Sequence, residues 1–232
     1  MRTSLLTIIA SLCSLCTCFA QFDVETAKRH VIVKYSPLPM FDLDNTIQFG
    51  VEIPLGKGDF ALQQDLGYGN SSFNGWYHDN SQRPDKEIYK SRTHLRWYFV
   101  EKRRMRAYVG PEVLFKKVVY RESQWLGKDC ESPWGPCSFF QNQQVRVDKN
   151  VVAGHVRFGW QFITPGRFVF DVFTGIGFRH IFATSHSPGI PDSDIRGVDD
   201  SWERISPNES DVRPSAVMGF HLGILLGKYR RD

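Results

Sequence analysis

The chain has 232 residues, 41% hydrophobic and 23% charged, with a formal net charge of +4 at pH 7. So small a charge balance gives no case for nucleic acid as a partner, and the length suits one β-domain. Past the N-terminus no uninterrupted apolar run is long enough for a transmembrane helix.

Residues 1–20, MRTSLLTIIASLCSLCTCFA, carry one early cation, Arg2, then a short apolar run and small residues before a cut after Ala20. This is the pattern of a secretory signal peptide: the run is too short to span a bilayer and stops at the polar QFDVE. A lipoprotein signal competes, because Cys13, Cys16 and Cys18 lie in the right zone. None of them has both a small residue just before it and a leucine three before; Cys18 comes closest, with Leu15 and Thr17. Removal of the signal takes away Arg2 and leaves Cys130 and Cys137 as the only cysteines.

From there the chain alternates. Strands are predicted near 30–36, 46–55, 59–68, 91–100, 106–119, 145–163, 167–182 and 214–229, because successive side chains of a strand point to opposite faces. TIQFGVEI puts Ile47, Phe49, Val51 and Ile53 opposite Gln48, Gly50 and Glu52. SRTHLRWYF puts Thr93, Leu95, Trp97 and Phe99 opposite Arg92, His94, Arg96 and Tyr98. VAGHVRFGWQF sets Val152, Val156, Phe158, Trp160 and Phe162 against His155, Arg157, Gly159 and Gln161. RFVFDVFTGIGFRHIFA sets Phe168, Phe170, Val172, Thr174, Ile176, Phe178 and Phe182 against Asp171, Gly175, Gly177 and Arg179. VMGFHLGILLGKY sets Met218, Phe220, Leu222, Ile224 and Leu226 against Gly219, His221, Gly223 and Gly227.

The connections are unequal. GKGD, EKRRM and TPGR are tight turns, rich in the residues such turns use. Long connections are predicted near 69–90, 120–144 and 183–213. Short turns on one rim and long loops on the other are the layout of an outer-membrane barrel, with the turns periplasmic and the loops extracellular. A soluble barrel has the same period with its apolar face inward. Four features favour lipid outside. The strands are long enough to cross, roughly 9–11 residues or more. The glycines sit largely on the polar face. Aromatic residues gather near strand ends at Trp97, Phe99, Trp160, Phe162, Phe168 and Tyr229, as an interfacial girdle does. The polar faces carry opposite charges, namely Lys34, Glu52, Asp65, Arg92, Arg96, Glu112, Arg157, Asp171 and Arg179, nearly balanced, as expected of an ion-paired plug in a lumen that side chains fill. The expected fold is an all-β, eight-stranded antiparallel up-and-down transmembrane barrel, residues 21–232 forming one domain. Two cysteines in an exported chain predict one disulfide, Cys130 with Cys137, closing the short loop CESPWGPC.

With VIVKYSPLPMF followed by NTIQFGVEI and then the hairpins, the chain resembles the small eight-stranded outer-membrane barrels of the OmpA and OmpX type. The resemblance is closest to Bacteroidetes OmpA-like barrels that lack a peptidoglycan-binding domain, a family of unassigned function. It covers most of the mature chain and implies a multi-pass protein of the Gram-negative outer membrane, in contact with its lipid and lipopolysaccharide. The chain departs from the pattern at its end: many such barrels finish on an aromatic residue read by the assembly machinery, whereas Tyr229 is followed by Arg230, Arg231 and Asp232.

The expected function is non-enzymatic: a barrel with a plugged lumen, serving the envelope or acting as an accessory or surface-recognition subunit of an outer-membrane complex. Trp76, Tyr77, Trp125, Trp134 and Trp202 in the long loops suit contacts with protein or glycan. Two further sites are weighed. Some barrels that this one resembles acylate or deacylate lipid A with rim His and Ser, and ATSHSPG offers Ser185, His186 and Ser187 as nucleophile and base for a lipid A or phospholipid acyl hydrolase; ordinary loop residues would look the same. DSDIRGVDDSWE places Asp192, Asp194, Asp200 and Glu203 at positions 1, 3, 9 and 12 of a calcium-loop spacing. Arg196 at position 5 and the lack of flanking helices oppose calcium, and a solvated acidic loop fits equally. No cofactor is otherwise implied, since the histidines show no metal-ligand spacing.

Overall fold

The computed structural model describes residues 24–42, 44–71, 85–130, 137–187, 190, 205 and 208–227. Its eight strands are β1 (Val31–Ser36), β2 (Ile47–Leu55), β3 (Phe60–Asn70), β4 (Asp85–Lys102), β5 (Met105–Cys130), β6 (Cys137–Ile163), β7 (Phe168–Ser185) and β8 (Ser210–Leu226). Each pairs with its sequence neighbour, and β1 pairs antiparallel with β8, closing the barrel. The eight-stranded antiparallel architecture agrees with the alternation.

The faces fall as the period dictates. On β2, Phe49, Val51 and Ile53 are exposed while Gln48 and Glu52 are buried; on β4, Leu95, Trp97 and Phe99 are exposed while His94 and Arg96 are buried. The apolar side therefore faces outward and the charged side fills the lumen. Outward rings touch in a chain near the short-turn rim: Trp97 with Phe99, Phe99 with Phe158, and Phe158 with Trp160, with centroids 6.1, 5.9 and 4.4 Å apart. The three outward polar groups within the belt at β3 and β4 satisfy one another, Gln64 Nε2 donating to Ser91 Oγ at 3.1 Å and Thr93 Oγ donating to Gln64 at 2.6 Å.

Strand lengths differ from expectation at one end. β4, β5, β6, β7 and β8 all run beyond their expected limits toward the long connections, and between β5 and β6 only 131–136 separates the strands. Most of 120–144 is thus a two-stranded ribbon, with Cys130 opposite Cys137 in register. The short turns are as expected. In the β2–β3 turn Gly56 and Gly58 adopt positive φ (58° and 92°), which glycine takes without steric cost.

Among the described residues, apolar side chains gather at both ends of the barrel. At the short-turn end the one-turn helix α1 (Val24–Ala27) packs Val24 and Ala27 against Ile32, Ile163, Val169 and Leu225. The Val24 N–H donates to the Arg103 carbonyl at 3.2 Å, and Lys28 Nζ meets Glu101 at 2.5 Å. That contact, ahead of the opposing burial, raises the Lys28 pKa. At the other end Ile88, Val118, Tyr120, Leu126, Val145, Val147, Ile181 and Ile205 form an apolar cluster. The prolines at 37 and 39 end β1 after six residues, and the chain turns through a 3-10 segment, Leu38–Phe41.

Candidate functional site: the charged lumen

A barrel of eight strands is filled by its own side chains, and here they are largely ionic. Glycine on the inner face leaves the room they need: a Cβ at Gly159 would stand 2.5 Å from the Tyr108 ring, and one at Gly219 2.6 Å from the Phe173 ring.

The layer nearest the short turns has two carboxylate hubs. Glu52, from β2, accepts from Lys34 at 2.5 Å, Arg96 at 3.1 Å, Arg106 at 2.7 Å, Gln161 at 2.9 Å and the Tyr98 hydroxyl at 2.6 Å. Asp171, from β7, accepts from Lys34 at 2.7 Å, Arg96 at 2.7 Å and the Tyr108 hydroxyl at 2.7 Å. The Arg106 and Arg96 guanidinium groups lie over the Tyr98 and Tyr108 rings at 3.7 and 4.1 Å. Gln63 donates to Asp65 at 2.7 Å, with His221 3.7 Å from the same carboxylate. The network thus joins side chains from β1 through β8 and fixes the barrel's cross-section.

Above it, Glu112 pairs with Arg157, with Arg92 at 3.7 Å and with His155 at 3.3 Å, and Arg157 stacks on Phe173 at 3.5 Å. Higher still, Asp44, in the β1–β2 connection, meets Lys116 at 2.6 Å, Lys86 at 3.3 Å and Lys149 at 3.9 Å. Burial opposes ionisation of Asp44, but these three lysines outweigh it and hold its carboxyl well below the usual range. Lys90 donates to the Asp44 carbonyl at 2.7 Å and to Asp42 at 3.1 Å.

Of the nine lumenal charges expected, seven are almost fully buried, and Arg92 and Arg179 are partly so. Sequence reasoning left out Arg106, Lys86, Lys90, Lys116 and Lys149. All five share inner-face parity with residues already recognised, so the signal was present; Asp44 lies in an aperiodic connection and gave none. The omission matters for charge. Lys34, Lys86, Lys90, Arg92, Arg96, Arg106, Lys116, Lys149, Arg157 and Arg179 face six carboxylates, the buried Asp44, Glu52, Asp65, Glu112 and Asp171 and the more exposed Asp42. The lumen is therefore cationic rather than balanced, with the surplus toward the long-connection end.

That end holds a cavity of about 460 Å³ between the Glu112 and Asp44 layers, lined by Ser36, Lys90, Arg92, Lys116, His155 and Arg179 together with Leu114, Val151, Phe173 and Val217.

Ser185 ends β7 at the same rim, and His186 and Ser187 follow it. The Ser187 hydroxyl is engaged with the Arg146 backbone, accepting from its N–H at 2.9 Å, and the Ser187 N–H donates to Ser185 Oγ at 3.3 Å. His186 Nε2 stands 3.6 Å from Asp148, itself paired with Lys117 and Arg146. Among the described residues no hydrogen bond joins His186 to either serine hydroxyl, so the nucleophile–base contact is not made here. The calcium-loop residues Asp192, Asp194, Asp200 and Glu203 lie outside the described residues, as do Trp76, Tyr77, Trp134 and Trp202. No cluster of three or more potential metal ligands occurs among the described residues. No family model matches the chain, and neither a curated protein nor a solved structure is significantly similar to it.

Proposed function

We propose that the chain is a non-enzymatic outer-membrane barrel of the OmpA and OmpX type, exported by its N-terminal signal, with a closed lumen and a recognition surface beyond the membrane. The observation that carries this reading is the inversion of polarity, apolar side chains outward around an ion-paired interior. On β7 the outward residues from Phe168 to Phe178 are apolar apart from Thr174. Eleven residues at ~3.3 Å, tilted by ~45°, give a belt about 26 Å high, the height expected of a lipid-facing band. Where the belt ends, outward charge begins: Lys117, Asp148 and Arg146 join there in ion pairs of 2.8 and 3.2 Å. Beyond that level the β5–β6 ribbon bears Trp125 and Phe140, 67% and 64% exposed. Large exposed rings on a projecting ribbon suit contact with a protein or glycan partner in the envelope.

A lumen with apolar side chains gathered at both ends and crossed by the Glu52–Asp171 network leaves no water path. Protein inserted into planar bilayers is expected to give no steady conductance and to run on gels as a heat-modifiable band. Regular single-channel openings would contradict the closed lumen.

The ribbon's register, which sets Cys130 opposite Cys137, supports a disulfide between them. So short a ring contributes about 2–3 kcal/mol to ordering the ribbon tip on the chain-entropy model. Because the tip lies beyond the barrel wall, serine at both positions is expected to spare assembly and to increase protease cleavage only near 130–137. Two alkylatable thiols in unreduced protein would rule the bond out.

A further inference from the structure

The barrel's seam is closed along only part of its height. The β1–β8 ladder runs from Val31↔Leu226 to Tyr35↔Leu222 and stops there, because Pro37 and Pro39 turn the chain away. β8 continues to Ser210, paired with β7 throughout. Among the described residues no strand pairs with the other edge of β8 from 210 to 221. From Pro214 to His221 this edge lies at the depth of the apolar belt, since Phe178↔Pro214 and Phe168↔Ile224 are register partners. Unpaired backbone at such depth is tolerated only where it borders protein or a polar cavity. Here it borders the 460 Å³ cavity, which reaches the seam between Leu38 and Pro39 on one side and Ala216, Met218 and Phe220 on the other.

The cavity has two chemistries. Its wall at the seam is apolar, continued inward by Val217 and Phe173. Its depth is cationic, with Lys90, Arg92, Lys116 and Arg179 against Asp42 and Asp44. The Ser36 hydroxyl, only 3% exposed, lines it with no hydrogen-bond partner among the described residues. A buried hydroxyl of this kind calls for an oxygen-bearing occupant. An added β-strand suits the seam less well: Pro214 stands in the unpaired stretch, and proline blunts an edge against strand addition.

We propose that this cavity is a lateral binding site for an anionic amphiphile, taking a phosphate headgroup among Lys90, Arg92 and Arg179 while its acyl chain leaves through the open seam into the membrane. The site rests on the membrane-barrel reading above, and it makes the charged lumen a lipid-binding element rather than only a plug.

The test uses full-length protein in a non-ionic detergent, examined by native mass spectrometry with three probes: 1-palmitoyl-lysophosphatidylglycerol, monopalmitoylglycerol and inorganic phosphate. The lysolipid is expected to form a one-to-one adduct, and each of the other two to bind at least about tenfold more weakly, since each lacks one half of the recognition. Arg179→Gln is expected to weaken the lysolipid adduct by about tenfold, as loss of a charge-assisted contact does. Ser215→Phe, which fills the cavity from β8, is expected to abolish it. Inorganic phosphate binding as well as the lysolipid would overturn the lateral-chain element. Absence of an adduct, an adduct indifferent to both variants, or a dimer joined at the β8 edge would overturn the site. Should either variant fail to fold, the probe comparison on the unaltered protein decides alone. Protein that stays soluble without detergent would instead overturn the membrane reading.

Discussion

Asp171→Ala is expected to lower the unfolding free energy of the barrel by about 3–5 kcal/mol, the range for removing one partner of a buried ionic cluster. Asp171 is fully buried and accepts from Lys34, Arg96 and the Tyr108 hydroxyl. Without it, Lys34, Arg96 and Arg106 share the single carboxylate of Glu52, and the Tyr108 hydroxyl loses its acceptor. Adding Lys34→Met to Asp171→Ala is expected to restore part of the loss, since it removes one uncompensated cation. Urea titration of the refolded barrel, read by the fraction in the heat-modifiable form, measures both. A single variant within about 0.5 kcal/mol of the parent, the usual range for an uninvolved surface site, would mean that the carboxylate is not a hub.

The second large effect belongs to the outside. Val172 stands on β7 near the middle of the apolar belt, opposite Trp160 on β6 and Phe220 on β8. If that face meets lipid, Val172→Arg is expected to cost about 2–4 kcal/mol, the midplane penalty for a charged side chain on a barrel's lipid face. His180→Arg, on the same face but beyond the belt, is expected to cost about 0–1 kcal/mol. A water-facing exterior would give two equal and small effects. The contrast between these positions reads depth directly, which a single substitution does not.

The sequence carried most of the fold where one face is greasy and the other charged, as at β2, the lower half of β4 and β7. The period faded where both faces are polar. Asp85, Glu87 and Tyr89 face out from β4 while Lys86, Ile88 and Lys90 face in; polarity no longer alternates, although the strand continues. The same loss of contrast hid the outer ends of β5 and β6, beyond 119 and before 145. Arg106, Lys116 and Lys149 lie within the expected strands on their inner faces, but their partners there come from β2 and from the β1–β2 connection. Inner-face parity marked these cations in the sequence, and register then placed the lysines side by side around Asp44. The open seam has the same origin. Pro37 and Pro39 announce that β1 ends early, but only the register of β8 shows that its neighbour runs on without a partner.

Fractionation of the cell envelope tests the central claim most directly. Membranes washed with alkaline carbonate and then floated on a density gradient should carry the protein with the outer-membrane fraction, released only by detergent. Recovery in the carbonate supernatant, or in buffer without detergent, would contradict a barrel whose apolar belt lies in lipid.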